Sequence, residues 1–137
     1  MDAVAGGPSR IKVVYIEDNQ ANLSLVVRAL EATGRFQVLG APDGDSGLEL
    51  VARELPDVVL VDLDVPGTNG FEVTRQMKAS ANPAIARIPV AAVSANVLAD
   101  ERSAALAAGC VAFVEKPFDI HSLRALVAEL AGGRSEE

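Results

Sequence analysis

Carboxylates, a hydroxyl and an amine stand at the ends of four short apolar segments of the sequence. Glu17 and Asp18 follow IKVVYI, Asp62 ends DVVLVD, Ser94 ends IPVAAVS, and Lys116 follows VAFVE. Three carboxylates brought together repel one another by about 4 kcal/mol per pair at roughly 4 Å, under an effective dielectric constant of about 20. Mg2+ prefers oxygen ligands and can use one or two carboxylates together with a phosphate. These residue types therefore indicate a site for a divalent cation, with the lysine as a further source of positive charge.

Asp62 is the candidate nucleophile of this set. It begins the loop DLDVPGTNG, which is rich in turn residues and would leave the side chain open to a donor. An aspartate beside a cation and a lysine can attack a phosphoryl group and become an aspartyl phosphate, because the positive charges neutralise the phosphoryl oxygens. The predicted chemistry is phosphoryl transfer to Asp62.

This chemistry requires a fold that brings the four segment ends together. Five β-rich segments alternate with five segments of helical periodicity, and two of the strands are almost continuously apolar. Such strands are typical of a parallel sheet covered by helices on both faces. The carboxyl ends of parallel strands lie at one edge, where ligands bind. We therefore predict one doubly wound α/β domain over residues 10–131, between flexible tails at 1–9 and 132–137.

Composition and charge argue against several other classes of protein. The net charge is -7 over 137 residues, whereas binding to a nucleic-acid backbone requires clustered lysine and arginine. Cys110 is the only cysteine, which excludes an internal disulfide and favours a reducing compartment. The sequence contains neither a secretory signal nor an apolar run long enough to cross a bilayer. We expect a cytoplasmic protein that binds neither nucleic acid nor membrane.

The order of these residues resembles the receiver domains of two-component response regulators. That family has an acidic pair after strand one, aspartate after strand three, serine or threonine after strand four, and Lys-Pro after strand five. The segments IEDN, VDLDVPGTNG, AVSAN and FVEKPF match this pattern within about residues 10–131. The resemblance implies a flavodoxin-like, five-stranded parallel sheet of order 2-1-3-4-5 with five helices.

The resemblance also implies which residues hold Mg2+. Asp18 and Asp62 would bind the ion through their side chains, and Asp64 would bind it through its backbone carbonyl. Glu17 would act through a water molecule. The cofactor expected for this chain is therefore Mg2+.

A second group of residues would bind and report the phosphoryl group. Ser94 and Lys116 would contact the phosphoryl oxygens. Ser94 and Phe113 would form the switch, and Phe113 would report only by packing because it has no hydroxyl. The resemblance further implies a cis bond before Pro117.

The partners implied by the resemblance are other proteins. A histidine kinase or a histidine phosphotransfer protein would donate the phosphoryl group. A downstream effector would read the face formed by the fourth helix, fifth strand and fifth helix of the prediction. The domain would catalyse its own phosphorylation and dephosphorylation without being a turnover enzyme.

Two alternatives stay open at this point. The segment VVLVDLDVPGT also resembles the first motif of haloacid-dehalogenase-type phosphatases, with Asp62 as nucleophile and Asp64 as general acid/base. That alternative leaves Glu17 and Asp18 without a role. The other alternative is an interaction module that never takes phosphate. The intact set of Asp18, Asp62, Ser94 and Lys116 argues against it.

Overall fold

The computed structural model describes residues 10–96 and 98–135, so the predicted tail at 1–9 and residues 136–137 lie outside the described part. Its five strands are β1 (Ile11–Ile16), β2 (Phe36–Ala41), β3 (Val58–Asp62), β4 (Val90–Ser94) and β5 (Ala112–Glu115). Its helices are α1 (Gln20–Glu31), α2 (Gly44–Glu54), α3 (Gly70–Lys78), α4 (Pro83–Ala86), α5 (Ala99–Ala108) and α6 (Ile120–Ser135).

The strands form one parallel sheet of order β2-β1-β3-β4-β5, which confirms the predicted order. The order reverses between β1 and β3, and a crevice at such a point is where open α/β sheets bind ligands. Ile16 pairs with Val61, and Asp62 pairs with Val93. The acidic pair after β1 is therefore adjacent to the end of β3.

Two hydrophobic layers cover the sheet, because successive side chains of each strand point to opposite faces. From β1, Ile16 joins the layer that contains residues of α2, α3 and α5, whereas Tyr15 joins the layer of α1 and α6. Every residue of β3 is buried. This explains why its sequence is continuously apolar until Asp62.

The helices differ from the prediction in two places. The described residues contain six helices rather than five, since α4 forms over four residues that are too short to show a helical period. Asn82 caps α4 by accepting a hydrogen bond from Ala84 N, and Pro83 supplies a preset φ in its first turn. Helix α6 continues to Ser135, past the predicted boundary at 131, where two glycines suggested an end because glycine is a poor helix former.

Within residues 10–96 and 98–135, no helix combines the length and apolar character that a membrane span requires.

Candidate phosphoacceptor site

The carboxyl ends of β1 and β3 and the loop after β5 bring four charged side chains together. One carboxylate oxygen from each of Glu17, Asp18 and Asp62 lies within 4.8 Å of the others. The Lys116 Nζ donates to Glu17 Oε1 at 2.8 Å and to Asp62 Oδ2 at 2.5 Å. The structure thus assembles these residues at one edge of the sheet, where the topology argument expects them.

Glu17 is buried and its carboxylate is held by protein donors on both oxygens. Its Oε1 accepts hydrogen bonds from Tyr15 OH at 2.8 Å and from Lys116, and its Oε2 accepts from Asn19 N at 3.1 Å. Burial, together with the hydrogen bond to Glu17, raises the pKa of Tyr15, so that the phenol stays protonated and donates. Glu17 is therefore fixed in position rather than free to rotate.

Tyr15 is a site residue that the sequence analysis did not select. It contacts Glu17 because it lies two positions earlier on β1, and alternate residues of a strand share a face. A phenol two residues before a strand-end acid was the signal available in the sequence.

The Asp62 carboxylate is nearly buried, with 6% of the residue exposed, and it also has a donor on each oxygen. Asp64 N donates to Oδ1 at 2.8 Å, while Lys116 occupies Oδ2. Burial of Lys116 opposes its charge, but the hydrogen bonds to Asp62 and Glu17 outweigh this effect and raise the pKa of Lys116. A positively charged amine therefore stays beside the candidate nucleophile.

Asp18 and Asp64 lie at the exposed rim of the site. Partial burial raises the pKa of the Asp64 carboxyl, and the negative charges of Asp62 and Glu101 add to this effect. Glu101 of α5 therefore contributes to the electrostatics around Asp64.

Ser94 is fully buried and faces α5 in this structure. Its hydroxyl donates to Glu101 Oε1 at 2.5 Å and accepts from Asn96 N at 2.9 Å. Among the hydrogen bonds of the described residues, none joins the Ser94 hydroxyl to Asp62 or to the Lys116 amine. Sequence reasoning missed Glu101, because an acid in the first turn of a helix is ordinarily explained by the helix dipole.

Phe113 is half-buried on β5 and packs against the hydrophobic layer of α2, α3 and α5. The Arg102 guanidinium carbon lies 4.7 Å from the centroid of its ring, a cation–π contact. Phe113 pairs with Ala92, two residues before Ser94, so Phe113 and Ser94 lie near the same face of the sheet.

The bond between Lys116 and Pro117 is cis, the isomer that the resemblance implies. Lys116 N also donates to Ser94 O at 2.8 Å, which ties the loop after β5 to the end of β4. A groove of about 280 Å³ opens beside this loop and is lined by Asn22, Leu25, Ala95, Lys116, Pro117 and Phe118.

Residues 13–128 match the sequence family described as the response regulator receiver domain. The chain belongs to this family. This receiver domain is 34% identical over 119 residues to the response regulator PleD of Caulobacter vibrioides. The matched region covers 87% of this chain but only 26% of PleD. The chain thus spans about a quarter of that relative. It is also 31% identical over 108 residues to the polar-differentiation response regulator DivK of Brucella anthropi, covering 79% of this chain and 85% of DivK.

A solved structure gives the same result for the fold of this receiver domain. The receiver domain of the sensor histidine kinase PA1611 from Pseudomonas aeruginosa PAO1 aligns with a TM-score of 0.81 and 27% identity, over 90% of this chain and 99% of that one. That structure has a magnesium ion coordinated in its active site cleft. The predicted flavodoxin-like fold and phosphoacceptor class are confirmed, and the phosphatase alternative is not favoured.

Proposed function

We propose that Asp62 accepts a phosphoryl group from the phosphohistidine of a histidine kinase or a histidine phosphotransfer protein. The observation that carries this assignment is the contact of Lys116 Nζ with Asp62 Oδ2 inside a cluster of three carboxylates. Asp62 lies at a strand end, is held in one orientation, contacts the lysine through one oxygen and is still slightly exposed. Neither Glu17 nor Asp18 has all four properties.

The reaction would transfer the phosphoryl group from nitrogen to oxygen. A carboxylate oxygen of Asp62 attacks phosphorus, the O–P bond forms as the P–N bond breaks, and the electron pair leaves with the imidazole nitrogen. The hydrogen bonds from Asp64 N and Lys116 hold the carboxylate in one orientation, which removes part of the entropic cost of attack. The charged Lys116 would then stabilise negative charge on the phosphoryl oxygens.

The donor set fits Mg2+, because it offers three carboxylates that one lysine neutralises only in part. Asp18, Asp62 and the Asp64 carbonyl would hold the ion. An indirect role through water suits Glu17, since both of its oxygens already accept hydrogen bonds from protein groups. When bound, Mg2+ supplies charge neutralisation at the phosphoryl oxygens. The magnesium of the PA1611 receiver domain supports this choice of ion.

The groove beside Lys116 suits the approach of a protein donor. Leu25 of α1, which is 57% exposed, lines this groove together with Pro117 and Phe118. A helix that carries the phosphohistidine could bury apolar side chains against this groove. The phosphorus would then lie close to the Asp62 carboxylate. The chain's net charge of -7 favours a protein partner over a nucleic acid, and its single, unpaired Cys110 favours the cytoplasm.

Phosphorylation would be reported by Ser94 and Phe113 to an effector. Ser94 would move toward a phosphoryl oxygen, and Phe113 would turn into the space that Ser94 vacates, because close-packed interiors do not leave that space empty. The face of α5, β5 and α6 would change as a result. A coupling free energy of about 1–3 kcal/mol between the two sites is enough for signalling.

The direct test is incubation with Mg2+ and acetyl phosphate, followed by intact-mass measurement and peptide mapping. We expect a base-labile gain of one phosphoryl group on Asp62. Asp62→Asn should lose the label and keep the far-ultraviolet circular dichroism of the parent. Asp45→Asn, which changes an acid outside the cluster, serves as the matched control and should still label. Labelling of Asp62→Asn at the parent's level would overturn the assignment, and sustained hydrolysis of phosphomonoesters would support the phosphatase alternative.

A further inference from the structure

Two adjacent residues in the first turn of α5 contact the two switch residues of the site. Glu101 accepts the hydrogen bond of the Ser94 hydroxyl at 2.5 Å, and the Arg102 guanidinium lies over the Phe113 ring at 4.7 Å. One helical turn therefore contacts both side chains at the same time.

The Ser94 hydroxyl has a single proton to donate. Two acceptors lie within reach of that proton, Glu101 Oε1 at 2.5 Å and Asn96 O at 3.2 Å. The contact with the Glu101 carboxylate is the shorter of the two, and hydrogen bonds to ionised acceptors are roughly twice as strong as neutral ones. A phosphoryl group on Asp62 would need the same proton. Binding of Ser94 to Glu101 and binding of Ser94 to the phosphoryl group therefore exclude each other.

Electrostatics acts in the same direction. Phosphorylation replaces the Asp62 carboxylate by an acyl phosphate of about -2 charges, so it adds about one negative charge to a site already loaded with Mg2+. This charge would repel the Glu101 carboxylate and push the first turn of α5 away from the site.

The remaining anchors of α5 are weak. Only Ala105 and Ala108 are buried, and Leu106 is 55% exposed. Leu98 precedes the helix and provides no side-chain cap. Because alanines bury little apolar area, the contacts of Glu101 and Arg102 contribute a large share of what holds the first turn in place.

We propose that Glu101 and Arg102 form a latch that keeps this receiver domain in its resting conformation. Glu101 sequesters the Ser94 proton, Arg102 holds the Phe113 ring, and phosphorylation opens the latch by taking Ser94 from Glu101. The proposal rests on the proposed function, since it requires a phosphoryl group at Asp62. It identifies Glu101 as a positioning residue whose removal makes the active conformation easier to reach.

The test uses beryllium fluoride with Mg2+ as a phosphoryl analogue, titrated while the backbone amide signals of Ser94 and Phe113 are followed by NMR. We expect Glu101→Ala to bind the analogue about tenfold more tightly than the parent, because one charge-assisted hydrogen bond no longer competes. The matched control is Asp100→Ala, which removes the same charge from the same turn and should leave the affinity near the parent's. Equal affinities of Glu101→Ala and the parent would overturn the latch.

A double-mutant cycle with Ser94→Ala separates the latch from a simple charge effect. In the Ser94→Ala background, the Glu101→Ala change should no longer improve binding of beryllium fluoride. If the improvement persists at full size, the effect is electrostatic only and the latch is overturned. If the parent itself takes neither beryllium fluoride nor a phosphoryl label, the proposed function fails and the latch fails with it.

The second half of the latch has its own readout. Arg102→Met keeps an apolar chain of similar length but removes the cation over Phe113. We expect broadened or shifted ring signals of Phe113 in the unphosphorylated protein, with labelling of Asp62 retained. Unchanged ring signals would overturn the role of Arg102.

Discussion

Lys116 donates a hydrogen bond to Asp62 at 2.5 Å although 54 positions separate the two residues in the sequence. The same amine contacts Glu17 at 2.8 Å, so one positive charge bridges the acids at the ends of β1 and β3. This arrangement holds the candidate nucleophile in one orientation beside a positive charge before any phosphodonor arrives.

Removal of the Lys116 amine should destabilise the fold as well as prevent labelling. Lys116→Met leaves the buried Glu17 without its counter-charge, and breaking a buried ion pair costs about 3–5 kcal/mol. We expect a loss of stability toward the low end of this range in urea unfolding at pH 7, because Tyr15 and Asn19 still donate to Glu17. Lys12→Met is the control, since its partner Glu54 lies at the surface, where solvent screens an ion pair and its removal costs little stability. Equal losses in both variants would contradict the prediction.

Mg2+ should stabilise this receiver domain, weakly before phosphorylation and more strongly after. The ion neutralises the cluster of carboxylates, and a ligand that binds only the folded state raises Tm by mass action. Asp18→Ala should lose both the Tm shift and labelling by acetyl phosphate. Asp45→Ala removes an acid that contacts Thr68 outside the cluster and should retain both. Labelling that continues in excess chelator would count against a role for the ion.

Ser94→Ala should separate phosphorylation from signalling. Asp62 keeps its donors in this variant, so labelling continues, but no hydroxyl can follow the phosphoryl group. We expect the gain in effector affinity caused by beryllium fluoride to fall in Ser94→Ala and in Phe113→Ala. Isothermal titration calorimetry with a cognate effector measures this gain. The same gain in the parent and in both variants would show that the pair does not carry the signal.

Gly47→Ala should destabilise the packing of α2 on β1. A β-carbon at this position would lie 2.4 Å from Ile16 Cδ1, and Ile16 directly precedes the acidic pair. Overpacking of a core contact costs about 1–3 kcal/mol, which urea unfolding would detect. Gly132→Ala meets no atom within 4 Å and is the control, with stability equal to or slightly above that of the parent. A neutral Gly47→Ala would mean that the contact relaxes freely.

The cap of α2 should contribute to loss of stability in acid. Asp43 accepts hydrogen bonds from Ser46 N at 2.8 Å and Ser46 Oγ at 2.7 Å, which lower the pKa of the Asp43 carboxyl. This stabilisation is present above the pKa of the unfolded state and is lost as pH falls through the lower folded pKa. Asp43→Asn should keep most of the cap at pH 7 and show a smaller loss of Tm between neutral and acidic pH. A pH profile identical to the parent's would exclude this contribution.

The fold could be predicted from local sequence patterns because each pattern has a local physical cause. Continuous apolar runs such as that of β3 predict strands buried on both faces, and a period near 3.6 predicts the covering helices. The short helix α4 escaped this reasoning, since four residues are fewer than the pattern needs. The end of α6 also differs, because glycines weaken a helix without forcing it to stop.

Residue order alone puts these chemical groups at the strand ends, and a parallel sheet then requires Glu17, Asp18, Asp62 and Lys116 to meet at one edge. How these groups pair with one another depends on the packing of the whole domain. Tyr15 and Lys116 fix Glu17, and Glu101 rather than Asp62 or Lys116 faces the Ser94 hydroxyl. These pairings depend on side-chain rotamers and on how α5 sits against β4 and β5. Several donors could reach each acceptor. Packing and charge across the whole domain therefore determine which hydrogen bonds form, and no local sequence pattern predicts them.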